Sequence, residues 1–127
     1  MSYYISKKTP LGFEEAIEKV TGALKNEGFG ILTEIDVKET LKKKLDVDFH
    51  SYIILGACNP PFAYQALQVE DKVGIMLPCN VIVQEKGNGT EISAVDPVVS
   101  MQTIDNPKLG KIAEEIGERL HKAIYSL

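Results

Sequence analysis

Apolar residues recur along this chain at two spacings, every second position or every third to fourth, and the changes between them delimit the elements. Tyr3, Tyr4 and Ile5 suggest a short first strand ended by Ser6, Lys7 and Lys8. Thr9-Pro10 then has the form of a helix start, with threonine as the N-cap and proline at the first helical position, where its missing N–H costs nothing. Phe13, Ala16, Ile17, Val20, Ala23 and Leu24 predict a helix with one buried face, closed by Gly28. From Phe29 to Asp36 the period falls to two, with Phe29, Ile31, Thr33 and Ile35 on one face and Leu32, Glu34 and Asp36 on the other. Asp36 can cap a second helix carrying Val37, Leu41 and Leu45 above a lysine-rich face and ending near Asp46. Tyr52 to Ala57 is apolar on both faces, which predicts an inner strand covered on both sides.

Asn59-Pro60-Pro61 repeats the helix-start signal, with Phe62, Ala63, Ala66 and Leu67 inward. Val73 to Leu77 and Val81 to Glu85 read as one interrupted strand or two short ones, broken at Pro78, which cannot donate a ladder hydrogen bond. Lys86-Gly87-Asn88-Gly89 is a turn, and Thr90 to Val95 is its hairpin partner. Asn106-Pro107 opens a last helix with Leu109, Ile112, Ala113, Ile116, Leu120, Ala123 and Ile124 in one stripe. The order β-α-β-α-β-α-β-β-α predicts an α+β fold, a mostly antiparallel sheet with two long helices on one face. The other face is left thinly covered, and because the strand at 52–57 is apolar on both sides, a homodimer burying that second face is expected.

Composition narrows this picture. The 127 residues, 44% hydrophobic and 25% charged, suit one domain spanning 1–127. A net charge of −4 opposes general binding to nucleic acid, which needs a clustered positive field. Lys42, Lys43 and Lys44 form the one basic run, without interleaved aromatics, and read as a solvated helix face. The first residues lack the features of a signal peptide, and no apolar stretch approaches the ~20 residues of a membrane-spanning helix, so a cytoplasmic protein without membrane contact is expected. Two cysteines in that setting stay reduced. Asn88-Gly89-Thr90 is then a turn rather than a glycosylation site.

The concentrated chemical signal is that cysteine pair, Cys58 and Cys79, each followed by asparagine and set beside proline. Cys58 follows a strand and precedes a helix start, where the positive end of the helix favours a thiolate. Cys79 follows Pro78, where the strand breaks and side chains can be re-aimed toward a cleft. Both could equally be small core residues, since free cysteine is among the most buried residue types. If the two strands are neighbours, Cys58, Asn59, Pro60, Pro78, Cys79 and Asn80 could line one pocket for a small molecule, with the asparagine amides orienting it and Glu34 contributing. No metal site is expected: C-x-x-C and H-E-x-x-H are absent, His50 lies at the far end of its strand from Cys58, and His121 reads as a surface residue. Glu34 and Asp36 could form an acid/base pair, although capping already explains Asp36. No dinucleotide fingerprint, P-loop or nucleophile elbow occurs, and no cofactor follows from the sequence.

Leu32-Thr33-Glu34-Ile35-Asp36-Val37, Leu55-Gly56-Ala57-Cys58-Asn59-Pro60 and Leu77-Pro78-Cys79-Asn80-Val81, together with Asp96-Pro97, resemble the domain-of-unknown-function 302 family. The resemblance spans nearly the whole chain. It implies a small α/β domain with a layout like that of the TATA-binding protein, commonly dimeric, and no established reaction. The leading expectation is a homodimeric small-ligand-binding domain. The alternatives are a thiol-dependent redox or transfer enzyme, with Cys58 as nucleophile and Cys79 as resolving thiol, and a metal-binding or purely structural partner-binding module.

Overall fold

The computed structural model describes residues 2–127. The strands are β1 (Tyr4–Thr9), β2 (Gly30–Asp36), β3 (Tyr52–Cys58), β4 (Cys79–Lys86) and β5 (Gly89–Val95). The helices are α1 (Phe13–Asn26), α2 (Val37–Leu45), α3 (Pro60–Val69), the short α4 (Pro97–Ser100) and α5 (Pro107–Tyr125), with a 3₁₀ helix at Asp71–Met76. The sheet runs β1-β5-β4-β3-β2, and every neighbouring pair is antiparallel. This is the α+β layer design expected from the element order.

Alternation along the inner strands builds the core. Leu55 and Ala57 of β3, Cys79, Val81 and Val83 of β4, and Ile92 and Ala94 of β5 point to one face and are buried. Ala16, Val20 and Leu24 of α1 and the apolar stripe of α5 close over them. The end of α1 is set by Gly28 at φ 90, where the Phe29 N–H reaches back to the Leu24 carbonyl and the Gly28 N–H to that of Lys25. α3 packs beside α5, with the Arg119 guanidinium over the Phe62 ring at 5.2 Å.

Three local expectations give way to tertiary pairing. Thr9 does not cap α1: it is the last residue of β1, paired with Thr90, and the helix begins three residues beyond Pro10, after Gly12. The Thr9 hydroxyl instead accepts the Leu11 N–H within the connecting turn. Residues 73–76 form 3₁₀ helix rather than strand, burying Val73 alone of that segment. In β2 a bulge at Leu32 breaks the expected alternation, because Ile31 pairs with Ala57 but Thr33 pairs with Gly56. Ile31 therefore packs toward the core, whereas Thr33 and Ile35 share the opposite face.

The residues of that opposite face are less covered. β3 is an inner strand, but its outward residues Tyr52 and Ile54 are only partly buried. The β2 edge is more open still, with Leu32 67% and Ile35 48% exposed, and α2 buries none of its residues.

Candidate functional site

The register of the sheet reduces the open face to three rows. One row crosses the strands as Lys8, Glu91, Gln84 and Tyr52. The next reads Ser6, Ser93, Ile82, Ile54 and Ile35, changing from hydroxyl to aliphatic from one sheet edge to the other. The third contains Tyr4, Val95, Asn80, Gly56 and Thr33, with Pro78 above Gly56. Adjacent strands in such a row lie ~4.8 Å apart, so neighbouring side chains are within reach of one another.

Around these rows lies a groove of about 690 Å³. Its floor includes Ile82 and Ser93, the segment Ile75 to Pro78 forms one wall, and Tyr3, Tyr4 and Tyr52 stand at its borders. The absence of a side chain at Gly56 has a direct use: a Cβ there would collide with Thr33 Oγ1 and come within 2.7 Å of Pro78 Cγ. The Leu77–Pro78 peptide is cis.

The polar row is already hydrogen-bonded. The side-chain carbonyl of Gln84 accepts from His50 Nε2 at 2.9 Å, and its amide nitrogen donates to Glu91 Oε1 at 3.3 Å. Lys86 Nζ lies 3.6 Å from the same oxygen, so the carboxylate, 16% exposed, is held from two directions. The hydroxyls of Ser6 and Ser93 share a 2.7 Å hydrogen bond beside it. Both groups of Gln84 are thereby oriented, which restricts the carboxylate it supports.

The residues singled out from the cysteine motifs are divided by the sheet. Pro78 and Asn80 line the groove, whereas Cys79, 4% exposed, points into the helix-covered core. Burial, and then the nearby Cys58 thiol, push the Cys79 thiol up to about 11. Ala57, not Cys58, stands opposite Cys79, and Cys58 sits half-buried at the end of β3 across from Gly30. Asn59 does not cap α3 with its side chain. It is buried against Gly28 and donates to the Glu27 carbonyl at 3.1 Å, tying β3 to the end of α1. Pro60 starts α3 as an exposed residue, and Glu34 is exposed on β2 opposite Leu55. Asp36 does cap α2, accepting the Glu39 N–H at 2.9 Å.

Sequence patterning passed over Glu91, Gln84, Tyr52 and Ser93. The signal was present in the alternation of Val81 to Glu85 and Thr90 to Val95, but only register shows that the polar positions of the two strands coincide. Among the described residues no group of three or more His, Cys, Asp or Glu could hold a metal ion, and no helix is long and apolar enough to cross a membrane.

A family model for the domain of unknown function DUF302 matches residues 5–127. The chain belongs to the DUF302 family. Its structure is similar to the crystal structure of an uncharacterized conserved DUF302 protein from Bacillus stearothermophilus, at a TM-score of 0.92 and 32% sequence identity, with 98% of each chain covered. Comparison with curated proteins gives no match. The fold and family of this DUF302 domain are thus established.

Proposed function

We propose that this DUF302 domain binds a small molecule in the groove on the open face of its sheet. The observation that carries the proposal is the combination, within about 690 Å³, of an aliphatic floor, three tyrosines and a pre-oriented polar row. Ligand sites usually occupy ~300–1,000 Å³ and join apolar walls to a few placed polar groups. Asn80 supports the assignment, since among the described residues its exposed side chain makes no hydrogen bond that would explain it structurally. The charged pair of Glu91 and Lys86 cancels, which favours a small molecule over nucleic acid.

The homodimer belongs to the same proposal. A second copy would cover the apolar side of the face, where Ile35 and Leu32 are exposed, and would wall the groove on its β2 side. Two unpaired thiols suit a reducing compartment, and the proposal places the protein in the cytoplasm. A thiol cycle between Cys58 and Cys79 receives less support, because a thiol raised to about 11 is almost entirely protonated near neutral pH.

The test is a fragment screen by saturation-transfer NMR on wild type and on Asn80→Trp, which fills the groove without entering the core. Binding lost in the variant supports the reading. Binding unchanged in the variant, or no binding by any fragment at millimolar concentration, contradicts it. Sedimentation velocity on Ile35→Glu tests the dimer: a dimeric wild type and a monomeric variant are expected, and a monomeric wild type refutes it.

A further inference from the structure

We infer that the groove takes a planar, uncharged nitrogen heterocycle bearing an amino group, with that amino group directed at the Glu91 carboxylate. This rests on the small-ligand reading of the groove and specifies the ligand class. The Glu91 side chain is 16% exposed and therefore largely shielded from water. Its Oε1 receives both Gln84 and Lys86, while Oε2 has no hydrogen bond with the other described residues. Because no buried side-chain oxygen among the described residues lacks a partner, this Oε2 is accessible from the groove, and its spare lone pairs select a donor, whose hydrogen bond to a charged acceptor is stronger than one to a neutral group.

The charges nearby decide which kind of donor. Lys86 pairs with Glu91, and Lys8 stands directly across from it in the β1–β5 ladder. Because Lys86 already neutralises the carboxylate, a cationic ligand gains no net attraction, and a neutral N–H edge fits better than an alkylammonium group. An anionic ligand would meet the carboxylate itself. Complementarity thus selects a neutral molecule with donors for Glu91 and an acceptor for Lys86 or Asn80.

Shape makes the molecule flat. Tyr52 ends the row that holds Glu91 and Gln84, and Tyr3 and Tyr4 form an edge-on pair with ring centroids 5.1 Å apart at the groove border. Between them the floor at Ile82 and Ser93 carries short or branched side chains, so an aromatic ring can lie along the sheet with tyrosines beside it. Aminoheterocycles satisfy donor, acceptor and planar surface together.

Calorimetric titration of adenine, its parent purine and an aromatic carboxylate such as benzoate into the unmodified protein tests this, with Glu91→Gln as the variant. Adenine should bind ~10-fold or more tightly than purine, benzoate should be the weakest, and Glu91→Gln should remove the adenine advantage while changing purine affinity less than ~2-fold. Thermal melting of Glu91→Gln verifies folding, and the comparison of three probes on wild type stands without it. Equal affinity for adenine and purine, or preference for benzoate, overturns the inference while leaving the groove as a binding site. If no probe binds and the fragment screen is also empty, both readings fall together.

Discussion

The two faces of the sheet are made by the same strands and have opposite characters. Cys79 and Asn80 are adjacent in sequence, yet one is sealed beneath the helices with a thiol raised to about 11 and the other lines an open groove. Leu55 and Ile54 are likewise neighbours, one fully buried and one half-covered. Period-two alternation sends consecutive side chains to opposite faces, so one face can be packed for stability while the other keeps groups available for recognition. Adjacency to a functional residue along a strand is therefore evidence against sharing its site.

Paired truncations should show the largest difference between the faces. Leu55→Ala should cost about 2–5 kcal/mol in urea unfolding, because it opens a cavity in the fully buried core. Ile54→Ala should cost less than ~1 kcal/mol, since its side chain is already partly in water. Comparable losses would mean that a second copy covers the face beyond Leu32 and Ile35, out to Ile54. Gly56→Ala comes next, at about 1–3 kcal/mol, because the new methyl meets Thr33 and Pro78. Adding Thr33→Ala should recover part of that loss, and complete tolerance of Gly56→Ala would show that Pro78 is free to move.

Thiol reactivity separates the faces without altering stability at neutral pH. Cys79 holds its proton in the folded state up to about 11, well above a free thiol, so its native-state alkylation at pH 8 should be at least ~100-fold slower than that of the same cysteine in the unfolded chain. The linked stability follows the same sign. It is intact below the free-thiol pKa of ~8.5 and declines as pH rises toward 11, where the unfolded state loses its proton first. Mass-resolved alkylation checks the rates, and equal rates would place Cys79 within reach of solvent.

Much of the architecture was legible from spacing. The stripes of α1 and α5, the Asp36 and Asn106 caps, the Gly28 stop and the hairpin at Lys86 to Gly89 all depend on local chemistry, and they occur where that chemistry puts them. What escaped depends on pairing between distant strands. Thr9 has the residue type of a helix cap but is held by Thr90, and the bulge at Leu32 reverses the facing of Thr33 and Ile35, which no period count reveals. The groove was harder still. The cysteine motifs led to Pro78 and Asn80, but Glu91 and Gln84 meet only because β4 and β5 pair in one register, and His50 reaches Gln84 from the chain leading into β3.

Isoleucine methyl NMR tests most directly whether the open face is the site of recognition. A bound fragment should shift the methyl signals of Ile82 and Ile54, which face the groove side, and leave those of Ile92 and Ile124, buried under the helices, nearly unmoved. Shifts concentrated at Ile92 and Ile124, with Ile82 and Ile54 unchanged, would place recognition on the other side of the sheet and contradict the assignment.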